Sequence, residues 1–232
     1  MSTVISVLIL GFGFLPFALF ITSNISRAVL LAPLISLALA SPISILHVVL
    51  DIELAVLLYL SLAMQVIPVS AILATRLLRG QRFRLITGTP YEATVSISAL
   101  FFSLLAWLSA GPPLQWDARS IWLSKASWLN GPASQYLTAQ QDGLSAHPDY
   151  PLTGPGIMAI LWNLQGVPED LYSGVALIAF FPNLVIGLAC LFLADLLKAK
   201  ARPAFALAIS YIMFGVIAFA SAGMIGSGYM DV

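Results

Sequence analysis

Six stretches of this chain carry no charged residue and run long enough to cross a lipid bilayer: 4–22, 28–50, 54–75, 94–111, 171–194 and 203–225. A hydrocarbon core of about 30 Å needs about 20 helical residues, and in lipid only helices or closed barrels satisfy every backbone amide and carbonyl. These runs are continuously apolar rather than alternating, so the expected fold is all-α, a polytopic helical protein of about six spans. Composition agrees, with 60% hydrophobic and 9% charged residues over 232 positions, against about 25% charged in ordinary soluble domains. A soluble fold is excluded. A seventh apolar piece, 151–167, contains Gly154, Pro155 and Gly156 and is short for a crossing, so it is expected to be interfacial or partly embedded.

With net charge zero, no basic surface exists for nucleic acid, and the few basic residues carry topology instead. Arg76, Arg79, Arg82 and Arg84 follow the third span, and Lys198, Lys200 and Arg202 follow the fifth. Placing both clusters in the cytoplasm puts the loop 112–170 outside, with Arg27 inside and Asp51 and Glu53 outside. A crossing by 151–167 would separate the two clusters, which argues against one. The chain then reads as one transmembrane domain over 1–232, with four spans in 1–111, an external loop with juxtamembrane helices in 112–170, and two spans in 171–232. The N-terminus lacks the positive region of a cleavable signal. This pattern suits a bacterial cytoplasmic membrane. Cys190, the single cysteine, reads as a small buried hydrophobe. His47 reads as a hydrogen-bonded residue near a span end, Asn183 as an intramembrane polar site, and the Asn24-Ile25-Ser26 sequon as chance.

Chemistry gathers in the loop. Asp117, Arg119, Lys125, Asp142, His147 and Asp149 lie there beside Trp116, Trp122 and Trp128. At 100° per residue, Ala118, Trp122, Lys125 and Leu129 share one helical face, and Asp117, Ile121, Ser124 and Trp128 an adjacent one. This suits a helix on the membrane surface, ended by Asn130-Gly131-Pro132, with indoles at headgroup depth and Lys125 snorkelling. Such a loop can simply anchor the protein. An anchor, however, does not require carboxylates, an imidazole and both basic types together.

Trp116-Asp117-Ala118, Ile121-Trp122, Lys125-Ala126 and then His147-Pro148-Asp149-Tyr150-Pro151-Leu152 resemble the first external loop of GT-C membrane glycosyltransferases, which use polyprenyl-phosphate-linked sugars. The resemblance covers about 111–167, and Gly228-Tyr229-Met230-Asp231-Val232 loosely resembles a later stretch of some relatives. It implies transfer of a sugar from a polyprenyl-phosphate donor to an acceptor glycan, lipid or protein on the external face. It also implies that Asp117 is the catalytic base. His147 and Asp149 then assist proton transfer, orient the acceptor or help hold a divalent cation; a turn set by Pro148 and Pro151 is the plainer alternative. Trp116, Arg119, Trp122, Lys125, Tyr150 and Asp231 become substrate-binding residues. Arg119 and Lys125 suit a phosphate or lipid headgroups equally.

Two departures accompany the resemblance. Three spans precede the one that matches the family's first helix, and the family's later helices are missing, so the chain reads as the front portion of such an enzyme. The competing readings are a transporter or lipid flippase component, and a noncatalytic truncated membrane subunit. A transporter favours ionisable groups at mid-membrane and broken helices. Here the span centres hold almost no ionisable residue.

Overall fold

The computed structural model describes residues 3–80, 86–109, 118–144, 151–198 and positions 208 and 212. Among them every regular element is helical, and the one strand-like pairing is a single bridge between Asn24 and Ile86. Five helices are long and apolar enough to cross a membrane among these residues. They are Thr3–Thr22, formed by α1 (Thr3–Phe12) and α2 (Leu15–Thr22); α3 (Ile25–Leu50); Leu54–Leu78, formed by α4 (Leu54–Met64) and α5 (Val66–Leu78); α6 (Pro90–Ser109); and most of α10 (Leu171–Lys198). The architecture is that of a multi-pass membrane protein. The expected sixth span, 203–225, lies outside the described residues. In the loop, a π-helical turn (Ala118–Leu123) runs into α7 (Ser124–Asn130), followed by α8 (Ala133–Gln141) and α9 (Thr153–Gln165).

Two spans are broken, and proline chemistry sets where. A proline inside a helix lacks an amide proton, and its ring strikes the carbonyl four residues earlier. Pro16 is four residues after Phe12, where α1 ends, and Pro68 is four after Met64, where α4 ends. The two breaks meet, for the Gln65 side chain donates from Nε2 to the Gly13 carbonyl at 2.9 Å. A carbonyl freed in an apolar interior thus regains a partner.

The most extensive pairing is between α6 and α10. It is close because Gly187 faces Ala99, and a Cβ added at Gly187 would lie 2.7 Å from the Ala99 Cβ and 3.4 Å from Leu30 Cδ1. Small residues let helix backbones approach where lipid supplies no hydrophobic drive between them. Gly187→Ala is therefore expected to lower stability by about 1–3 kcal/mol through overpacking, and Gly187→Leu by more, read as earlier thermal unfolding in detergent. Unchanged melting of both variants would show that this contact is loose.

Charge sorts the two ends of the bundle. Arg27, Glu92 and Asp195 meet at one end, where Arg76 and Arg79 close α5 and Lys198 closes α10. Asp51, Glu53 and the loop helices occupy the other. The described members of the two basic clusters therefore share an end, as the charge pattern predicts.

The piece expected to be interfacial or partly embedded is α9, and of the two it is embedded. Residues 155–162 and Leu164 are all buried, enclosed by α3, α7, α10, α4 and α1. Its 13 residues span about 20 Å, too short to cross a core of about 30 Å. Its last turn is at the loop end, where the Asn163 side chain accepts from the Ala55 amide (2.9 Å). Its first turn lies deeper. Gly156 packs against Ser44 and the Ala40 carbonyl of α3, about 10–15 Å below the end of that helix by its rise. The uninterrupted apolar run of α9 reflects burial on all sides.

Candidate functional site

The loop helix forms where the sequence places it and ends at Asn130, with Gly131 and Pro132 following. Trp122, Lys125, Ala126 and Leu129 recur at helical spacing, all are buried, and α7 packs on α9. The expected common face of Trp122, Lys125 and Leu129 is present. It faces inward, which corrects the expectation for one side chain. Lys125 does not snorkel to a surface, being 0% exposed, and Trp122, 3% exposed, is enclosed by the protein as well. Among the described residues only Trp162 is a larger fully buried side chain than Lys125. A buried ammonium is tolerated only where it is paired and hydrogen-bonded, and Lys125 is partnered.

The other candidates fall differently. The backbone of Arg119 lies in the π-helical turn, while Trp116, Asp117, His147, Asp149, Tyr150 and Asp231 lie outside the described residues. The divalent-cation expectation rested on His147 and Asp149, so it is left where the sequence put it. Among the described residues no three His, Cys, Asp or Glu side chains gather as a metal site would require.

The loop helices are tied to the bundle by a polar seam. The Ala133 amide, opening α8, donates to Asp51 Oδ1 at 3.3 Å. Asn130 Nδ2 donates to the carbonyls of Val167 (2.7 Å) and Pro168 (2.6 Å). Trp162 Nε1 donates to the Asp170 carbonyl at 2.9 Å. Burial pushes the Tyr136 phenol up, opposed by a hydrogen bond with Gln140, so on α8 it stays protonated at neutral pH. Side chains held this way lose little entropy on engaging a ligand.

Two further features lie outside the candidate set. The first is His47, hydrogen-bonded near a span end as expected and 4% exposed at the loop end of α3. Its Nδ1 is 2.7 Å from the Ile52 carbonyl. A carbonyl only accepts, so Nδ1 carries a proton and donates to it. Nε2 is buried with no hydrogen-bond partner among the described residues. A single histidine near a span end gave no signal of this.

The second is an ion cluster at the opposite end. Arg27 donates from Nε (2.8 Å) and Nη2 (2.6 Å) to Glu92 Oε1, and its Nη1 lies 2.7 Å from Asp195 Oδ2. Glu92 Oε2 accepts from the Thr89 amide (2.7 Å), while the Glu92 amide donates to Thr89 Oγ1 (3.3 Å). This is a reciprocal cap, and Thr89-Pro90-Tyr91-Glu92 carried its sequence signature. Gly88 makes room with φ +88°, a conformation L side chains rarely adopt; a Cβ there would lie 2.9 Å from Ser26 Oγ and 3.2 Å from Glu92 Oε2.

Among known protein families, curated proteins and solved structures, none matches this chain.

Proposed function

We propose that this chain forms a membrane glycosyltransferase site which moves a sugar from a polyprenyl-phosphate donor to an acceptor glycan, lipid or protein at the loop face, outside a bacterial cytoplasmic membrane. The observation that carries the reading is Lys125, fully buried on the helix that follows Asp117. That helix packs on α9, the helix that follows the His147 to Leu152 motif. The helices that follow the two halves of the resemblance are thus neighbours in space.

The chemistry suits such parts. Phosphate leaves readily, so the reaction needs a base for the acceptor hydroxyl and cations for the charge developing on phosphate. Asp117 supplies the base in this reading, with His147 and Asp149 assisting. Lys125 and Arg119 neutralise phosphate, and Trp116, Trp122, Tyr150 and Asp231 hold donor and acceptor. A cation in a dry, enclosed setting acts more strongly on an anion than one in water. The test is sugar transfer by the purified chain in proteoliposomes carrying polyprenyl-phosphate sugars. Turnover that depends on Asp117 supports the reading, and transfer unaffected by its loss removes it.

A transporter or flippase component is the second reading, favoured by the paired breaks at Gly13 and Gln65, since broken helices often build midplane sites. Against it, the described ion pairs lie at a bundle end, with no ionisable group at the breaks. Sidedness is checked separately. Exposed Leu78→Cys and Leu144→Cys are expected to label from opposite faces of sealed vesicles, Leu144→Cys from outside. Labelling of both from one face would overturn the arrangement.

A further inference from the structure

A shallow, open cavity lies on the loop helices, away from the face that Lys125 buries. It has a volume of about 310 Å³ and is lined by Trp128 of α7, by Ser134, Gln135, Thr138 and Ala139 of α8, and by Leu144. We infer that it binds a neutral pyranose ring, with the Trp128 indole as the apolar platform and the Gln135 and Thr138 side chains as hydrogen-bonding partners.

The lining has the character of a sugar. A pyranose has a face of C–H bonds and a rim of hydroxyls, each both donor and acceptor. An indole face is electron-rich and receives polarised C–H groups. Serine and threonine hydroxyls and a carboxamide offer donors and acceptors to the rim. Among the described residues no charged side chain lines the cavity, so a lipid phosphate finds no counter-charge from them. The volume lies at the small end of ligand pockets, about 300 Å³, which suits one ring rather than a long glycan.

The platform is prebuilt. Gly131 and Pro132 turn the chain between the two helices, and the Gln135 amide donates to the Pro132 carbonyl at 2.9 Å. The Gln135 carboxamide folds over Gly131, where any added Cβ would strike it. The bond from the Ala133 amide to Asp51 holds the start of α8 to the bundle. Two helices fixed this way present their side chains with little ordering left to pay on binding.

The inference rests on the transferase reading for why a sugar would be there, the cavity then being a subsite for the acceptor glycan. Binding itself needs no catalysis. The experiment is saturation-transfer NMR on the full chain in detergent, with methyl β-D-glucopyranoside, methyl β-D-galactopyranoside and methyl α-D-mannopyranoside as probes. At least one probe should show transfer to its ring protons, weakened about tenfold in Trp128→Ala by loss of stacking. Trp128→Phe should keep part of it. Gln135→Ala and Thr138→Val, at exposed positions, should weaken it about three- to tenfold through lost hydrogen bonds and serve as readouts if Trp128→Ala folds poorly. In nanodiscs holding a glucosyl-diacylglycerol, competition by the soluble probe would mark a lipid-borne sugar, and its absence a free glycan; either supports the site. No binding by any probe, or binding indifferent to all four substitutions, overturns the inference. Sugar transfer without probe binding would sink the cavity alone. Probe binding in a chain that transfers no sugar would sink the transferase reading alone.

Discussion

Replacing Asp117 with asparagine is expected to lower sugar transfer by about 10²- to 10⁴-fold, the usual contribution of a positioned general base. Asparagine keeps the shape and a hydrogen-bonding oxygen but cannot take a proton near neutral pH, so insertion and folding should be unchanged. The measurement is turnover in proteoliposomes under saturating donor. A loss in kcat with KM little altered identifies proton removal, whereas a rise in KM alone assigns Asp117 to binding. Wild-type transfer by Asp117→Asn excludes it from the mechanism and, with it, the best-matched residue of the resemblance. Lys125→Gln should act differently. It removes a buried positive charge, so its effect should grow with the negative charge of the donor bound.

The second large effect concerns stability. Arg27 holds Glu92 at 2.6 Å and Asp195 at 2.7 Å, joining α3, α6 and α10. Arg27→Ala leaves two carboxylates facing each other without their cation, and Glu92 is only 6% exposed. Breaking a fully buried pair costs about 3–5 kcal/mol. Solvent reaches the Arg27 side chain, which is 28% exposed, so about 2–3 kcal/mol is expected after screening. Arg27→Lys should recover only part, because an ammonium lacks the planar fork that serves both carboxylates at once. Thermal unfolding in detergent reads both variants. If Arg27→Ala also carries Glu92→Gln and Asp195→Asn, much of the loss should return, since the stranded charges are then gone. A triple variant no better than Arg27→Ala would mean that packing by the arginine stem, not its charge, matters.

Several elements were legible because their cause is local. Five of the six apolar runs form helices long and apolar enough to cross a membrane, with ends within a few residues of the expected positions, since about 20 consecutive apolar residues admit one answer in a bilayer. The helix end at Asn130 followed from the glycine and proline after it. The basic clusters told which ends belong together because charge is costly to carry across. The enclosure of α9 was not legible in the same way. Periodicity cannot separate a short helix buried on all sides from one lying in an interface, as both are apolar and capped by glycine.

The candidate site divides along the same line. Face-sharing by Trp122, Lys125 and Leu129 followed from 100° per residue, but whether that face met lipid or protein did not. A lysine flanked by tryptophans reads as snorkelling until a neighbouring helix covers it. His47, Arg27, Glu92 and Asp195 are far apart in sequence or single, and nothing in a linear pattern says that 27, 92 and 195 converge.

By itself, the sequence determined the class, the described spans and which of their ends lie together. These depend on the solvent and on near neighbours along the chain. Only the tertiary structure decided that α9 sits inside the bundle, that Lys125 and Trp122 point inward against it, and that Arg27 links three spans. Those outcomes depend on which surfaces of distant segments fit together. Small residues at Gly156 and Gly187 permit that fit, but the partners they meet appear only when the helices are packed.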